Sequence, residues 1–82
     1  MIIRNEDIKE VIAEIPDGHT HIRTTIKLQD GTVLTLQEAA IANIIRAYTT
    51  IKTHPLKSSV VLIGQRIEER KAGYAEWQLL ER

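Results

Sequence analysis

Apolar and polar side chains alternate along residues 21–29, and this period of two predicts a β-strand with one apolar face. That face carries Ile22, Thr24, Ile26 and Leu28. The pair Asp30-Gly31 follows, which is typical of a tight turn, and a second short strand over residues 32–36 comes after it. The sequence therefore predicts a β-hairpin.

The length of the hairpin loop decides which side chains share a face of the sheet. A three-residue loop that ends in a left-handed Gly31 places Ile26 opposite Leu34. Thr24 then lies opposite Leu36, so the apolar side chains of both strands line one face. A two-residue loop would bring a lysine opposite Leu34, and we therefore expect the three-residue loop.

An amphipathic helix is predicted over residues 36–53, because apolar side chains recur there at helical spacing. We name four of these residues the helix stripe: Ile41, Ile44, Ile45 and Tyr48. Thr35 and Glu38 have the spacing of a capping box, in which the two side chains accept backbone N–H groups of the first turn. Pro55 ends the helix.

Residues 6–15 are compatible with a strand from residue 8 or with a helix. The following Pro16-Asp17-Gly18 has the chemistry of a turn, and proline disfavours a helical residue directly before it. A strand places Glu10 and Glu14 on the same side as apolar residues, which favours the helical alternative. On the loop chemistry we expect the strand.

Residues 65–81 carry the same ambiguity. A strand that starts within Val60–Ile63 and a three-residue loop at Lys71-Ala72-Gly73 predict a hairpin in which Ile67 lies opposite Trp77. This register also brings two glutamates directly opposite each other, which is unfavourable. The helical alternative avoids that pair but places a glycine in the helix interior, so we expect the hairpin.

Together these segments predict one α+β domain over residues 1–82, with a β-meander, one amphipathic helix packed on the sheet and a C-terminal β-hairpin. In the alternative, the N-terminal and C-terminal segments are helical. In the predicted register the second face of the sheet carries apolar side chains among charged ones, which is typical of a self-association surface. The interface candidates are Val11, Ala13, Ile15 and Val33.

Composition narrows the classes of function. The 82 residues include 11 Lys and Arg, 11 Asp and Glu, and no cysteine. Zero formal net charge gives no strong attraction to nucleic acid or to an anionic membrane, and the lack of cysteine excludes disulfides and thiol catalysis. The apolar start Met1–Ile3 is shorter than a signal peptide, and no apolar run has the length of a membrane span. We therefore expect a cytoplasmic protein.

Two sets of side chains offer binding chemistry. His19 and His21 share one face of an extended segment, a spacing that suits metal ligands, and His54 is a third candidate. The segment 46–71 contains six basic and two acidic residues, and this positive net charge favours contact with nucleic acid. The candidates for that contact are Lys57, Arg66, Arg70 and Lys71.

No nucleophile elbow, phosphate-binding loop or metalloprotease helix occurs in the sequence, so no catalytic residue or cofactor is predicted. The function that remains is a noncatalytic module for protein–protein interaction, with a homodimer as the expected form. The alternatives are a nucleic-acid accessory domain that uses the basic segment, and a weak metal or small-ligand site at His19 and His21.

Overall fold

The computed structural model describes residues 1–67 and 77–82, and it contains a three-stranded antiparallel sheet, one α-helix and a two-stranded hairpin. The elements are a 3-10 turn (Asn5–Asp7), β1 (Ile8–Glu14), β2 (Arg23–Leu28), β3 (Val33–Gln37), α1 (Glu38–Thr53), β4 (Leu62–Arg66) and β5 (Trp77–Glu81). This is the predicted small α+β fold. The N-terminal helical alternative is wrong because residues 8–14 form the strand β1. In the C-terminal segment, the described residues form the strands β4 and β5 and not a helix.

The chain forms two compact units, Met1–Glu38 and Ala39–Arg82. The first contains the three-stranded sheet in the order β1-β2-β3, and the second contains the hairpin and all but the first residue of α1. The packing of the helix on the sheet and the organisation as one domain stay predictions.

β2 and β3 pair in the predicted register. Ile26 lies opposite Leu34, and Thr24 lies opposite Leu36. Directly opposed residues of antiparallel strands point to the same face, so the apolar side chains of both strands share one face. We name this the apolar face of the sheet and the other the polar face.

Both turns in the first unit contain a glycine with positive φ, as predicted. Gly31 has φ 93°, and its N–H donates to the Leu28 carbonyl at 3.1 Å. Gly18 has φ 78° in the turn between β1 and β2, where the N–H of His19 donates to the Pro16 carbonyl at 3.0 Å. Glycine adopts this backbone conformation without the steric cost that a β-carbon adds.

A β-bulge in β1 determines where its charged residues lie. Ile8 is opposite Leu28, and the register shifts between Ile8 and Glu10. Glu10 is therefore opposite Lys27, and their charged groups are 3.6 Å apart. The extra residue in the bulge keeps Ile8 on the apolar face and places Glu10 on the polar face. Glu10 and Glu14 share the polar face with Ile12, which lies opposite Thr25.

The same register divides the interface candidates between the two faces, so their predicted grouping on one face is wrong. Val11 lies opposite Ile26, on the apolar face, and Ala13 shares that face. Val33 lies opposite Lys27, on the polar face. The cause is the bulge, which exchanges the two faces along the rest of β1. Contact of these residues with a partner stays a prediction.

α1 begins at Glu38, two residues later than predicted, and ends at Thr53 as predicted. Leu36 is opposite Thr24 in the sheet and therefore keeps an extended backbone. The predicted capping box is wrong because Thr35 lies inside β3, too far before the first helical residue to cap it.

β4 and β5 form the predicted C-terminal hairpin in a register that differs by one residue. Trp77 lies opposite Arg66, whereas the prediction places it opposite Ile67. Gly64 is opposite Leu79, on the face that Trp77 shares. The predicted loop at residues 71–73 and the two opposed glutamates lie outside the described residues.

Little apolar surface is buried in the described residues. Leu28, 5% exposed, is the buried hydrophobic side chain among them, and α1 buries none. Most other large apolar side chains of β1, β3 and α1 are more than a third exposed. None of the helical segments within residues 1–67 and 77–82 has the length and hydrophobicity that a membrane span needs.

Replacement by alanine should change the stability of the fold in opposite directions at Gly64 and at Gly31. At Gly64 a β-carbon would meet the Leu79 Cδ2 atom at 3.9 Å, an ordinary contact. We expect Gly64→Ala to raise the free energy of unfolding by about 0.5–1 kcal/mol, since glycine is costly in a strand. Gly31→Ala should lower it by about 1–2 kcal/mol because φ is 93°. Urea unfolding at one protein concentration measures both, and effects of the same sign would contradict the assigned backbone.

Candidate interaction surface

The helix stripe is exposed along α1. Ile44 is 50% exposed, Ile45 57% and Tyr48 62%. In the described part of the second unit, neither β4 nor β5 makes an extended contact with α1. The sequence predicts that this stripe packs on the sheet, and that packing stays a prediction. A contiguous exposed apolar stripe is typical of an interaction surface.

The polar side chains of α1 already have partners within the helix. Side-chain donors bond backbone carbonyls four residues earlier: Asn43 to Ala39 at 2.8 Å, Thr49 to Ile45 at 2.9 Å, Thr50 to Arg46 at 3.0 Å and Thr53 to Thr49 at 2.7 Å. The Lys52 ammonium lies 5.9 Å from the centre of the Tyr48 ring, within the range of a cation–π contact. A partner at this helix would therefore gain mainly from apolar contact with the stripe.

The first unit also exposes apolar side chains, some of them on its outer strands. On the apolar face, Val11 in β1 is 53% exposed and Leu34 in β3 is 39% exposed. Ile15, just after β1, is 58% exposed, and Val33 on the polar face is 56% exposed. Thr25 and Thr35 share the polar face, with their hydroxyl oxygens 3.5 Å apart.

Two of the three predicted metal ligands have hydrogen-bond partners. His21 Nδ1 lies 2.7 Å from a carboxylate oxygen of Glu38, in an exposed pair. The N–H of Leu56 donates to His54 Nδ1 at 3.2 Å. Residues 1–67 and 77–82 contain no group of three or more His, Cys, Asp or Glu side chains that could hold a metal ion. Metal binding at His19 and His21 stays a prediction.

The candidate nucleic-acid residues are only partly described. Lys57 Nζ donates to Glu81 Oε1 at 2.9 Å, so its charge is already paired within the hairpin region. Arg66 lies in β4, opposite Trp77. Arg70 and Lys71 lie outside the described residues. Contact with nucleic acid stays a prediction.

Two exposed carboxyl groups have a lowered pKa. The hydrogen bond from Lys57, together with its positive charge, lowers the pKa of Glu81. The backbone N–H of Thr32 donates to Asp30 Oδ1 at 2.9 Å, and this bond lowers the pKa of Asp30. The first contact ties the segment after α1 to the end of β5. The second stabilises the turn between β2 and β3.

Two of the side-chain pairs described above have no signal in the sequence. His21 and Glu38 are 17 residues apart, and Lys57 and Glu81 are 24 residues apart. Sequence rules for ion pairs apply to residues three or four apart on a helix or directly opposed on known strands. The fold brings both pairs together, so only the register of the strands could have indicated them.

No protein-family model matches the chain, and no curated protein or solved structure matches it either.

Replacement of Lys57 should change the titration of Glu81. We expect Lys57→Ala to raise the pKa of the Glu81 carboxyl towards its ordinary value, because the hydrogen bond and the nearby positive charge are both lost. The folded state lowers this pKa, so the pair stabilises the hairpin at neutral pH and loses its effect as pH falls through the folded-state pKa. NMR titration of the Glu81 side chain measures the change.

Lys52→Ala is the matched control, since Lys52 contacts Tyr48 and not Glu81. It should leave the Glu81 titration unchanged. An unchanged titration in Lys57→Ala would show that the pair does not form in solution.

Proposed function

We propose that this chain is a noncatalytic module that acts by self-association, and that a second copy covers apolar side chains which one copy leaves exposed. The observation that carries the proposal is the exposure of the helix stripe, together with the single buried hydrophobic side chain, Leu28, in the described residues. A small domain gains most of its stability from apolar burial. Association supplies the burial that one copy lacks.

The charge of the chain also favours association between identical copies. With 11 basic and 11 acidic residues the formal net charge is zero at pH 7. Two copies therefore approach each other without net repulsion, whereas a highly charged chain would repel its own copy. Apolar contacts between copies then determine the affinity.

The assembly state tests the proposal directly. Native mass spectrometry and size-exclusion chromatography with light scattering should give twice the chain mass of 9.3 kDa. Tm should rise with protein concentration, because association stabilises the folded form by mass action. A chain that stays monomeric at all concentrations and still unfolds cooperatively, with a concentration-independent Tm, would contradict the proposal.

A charge in the helix stripe should weaken the dimer. We expect Ile44→Glu to raise the dissociation constant about tenfold to a hundredfold, because a half-exposed isoleucine loses its apolar burial in the dimer. Ala39→Glu is the matched control. Ala39 is exposed and lies roughly 120° or more around the helix from every residue of the stripe, so the same charge points away from it.

Sedimentation velocity of the two variants at several concentrations measures this effect, and circular dichroism should report the same helix signal in both. Equal dissociation constants for Ile44→Glu and Ala39→Glu would exclude the helix stripe from the interface.

A further inference from the structure

The outer edge of β3 presents unpaired backbone groups. The N–H of Leu28 donates to the Thr32 carbonyl at 2.8 Å, so the backbone groups of Leu28 point to the β3 side. Hydrogen-bonding direction alternates along antiparallel strands, and Leu34 and Leu36 therefore bond β2. The N–H and C=O groups of Val33 and Thr35, and the N–H of Gln37, point away from the sheet. In the described part of the chain no hydrogen bond to these groups is found. Gln37 directly precedes α1, and its carbonyl stands where the first helical hydrogen bond is accepted.

The two edges of the sheet differ in their protection. β1 carries a bulge and the charged residues Lys9, Glu10 and Glu14, which are features that prevent edge-to-edge pairing. β3 has the sequence VLTLQ, with no charge, no proline and no bulge. Four of its five residues are exposed. An edge of this kind is a template for another strand.

We propose that β3 pairs antiparallel with β3 of a second copy, with Thr35 opposite Thr35 of that copy, so that two sheets form one continuous six-stranded sheet. This inference rests on the proposed self-association and names its central contact. In this register all five β3 residues have a partner. Thr35 exchanges both backbone hydrogen bonds with Thr35 of the second copy, and the N–H of Gln37 donates to the Val33 carbonyl of that copy.

The faces of the two sheets match in this register. Directly opposed residues share a face, so Leu34 lies beside Leu36 of the second copy. Both belong to the apolar face, which therefore continues across the seam. On the polar face the Thr35 side chains meet, next to Thr25 of each copy. A two-fold axis at Thr35 thus brings the leucine side chains of the two copies together on one face and their threonine hydroxyls together on the other.

This pairing also limits assembly in the sheet to two copies. The contact is isologous, since both copies use the same strand, and it closes on itself. The outer edges of the combined sheet are then the two β1 strands. Each carries the bulge and the charged residues that oppose addition of a further strand.

Opposite charges at Thr35 test the two-fold centre. We expect Thr35→Lys and Thr35→Glu each to raise the dissociation constant at least about tenfold, because like charges then face each other across the axis. A one-to-one mixture of the two variants should restore dimers that contain one copy of each, since the charges become complementary. Native mass spectrometry distinguishes these dimers by mass.

Proline gives a second test, with a matched control at the same residue. Thr35→Pro removes an N–H that points outward, so it should disrupt the dimer but leave the β2–β3 pairing intact. Thr35→Ala keeps this N–H and is the matched control. It should raise the dissociation constant much less than Thr35→Pro does.

Hydrogen exchange reports the seam without any substitution. In the dimer the amides of Thr35 and Gln37 should exchange at least about tenfold more slowly than in the diluted monomer. The amides of Leu34 and Leu36 bond β2 in both states and serve as the internal reference. Slow exchange that appears only on dimerisation, at alternate residues of β3, is the expected signature.

The outcomes separate this inference from the proposed function. A chain that dimerises, but whose dissociation constant is insensitive to both charges at Thr35 and whose β3 amides are equally protected at all concentrations, overturns the β3 seam and leaves self-association standing. Loss of dimer in the separate variants without recovery in their mixture overturns the Thr35 centre. A chain that is monomeric at every concentration overturns both proposals.

Discussion

Burial of apolar surface is the constraint on which this structure depends, since a chain of 82 residues without cysteine has no covalent cross-link to replace it. The described residues bury one large apolar side chain, Leu28, at the end of the central strand β2. Backbone hydrogen bonds in the sheet and helix give little net stability on their own, because water bonds the same groups in the unfolded chain. The apolar side chains that stay exposed among the described residues are those that the proposed second copy would cover.

The bulge in β1 gives the sheet its two distinct faces. One extra residue between Ile8 and Glu10 moves glutamates to the polar face, where Glu10 lies 3.6 Å from Lys27. The same bulge and charges protect the outer edge of β1, while β3 stays uncharged. A single insertion thus determines which face each side chain of β1 occupies, and it also makes the two edges of the sheet chemically different.

The parts of the fold that the sequence predicts correctly depend on local chemistry. The alternation of β2 and the left-handed Gly31 determine the register with β3, and the proline after α1 determines its end. The errors arise where distant pairing overrides local signals. Leu36 stays extended because it pairs with Thr24, and the bulge has no signal in the residue pattern. The exposure of the helix stripe was equally beyond prediction, since periodicity shows that a face is apolar but not what covers it.

Folding and assembly are coupled if the apolar stripe and the β3 edge both meet a second copy. A substitution at either surface then lowers stability as well as affinity, because the folded monomer is the less stable species. The zero net charge fits this arrangement, since neither copy repels the other over long range. Apolar contacts alone do not fix how two copies are oriented, whereas backbone hydrogen bonds along β3 would fix it. Hydrogen bonds along a strand admit few registers, and the alternation of Leu34, Thr35 and Leu36 favours the one that keeps the two faces continuous.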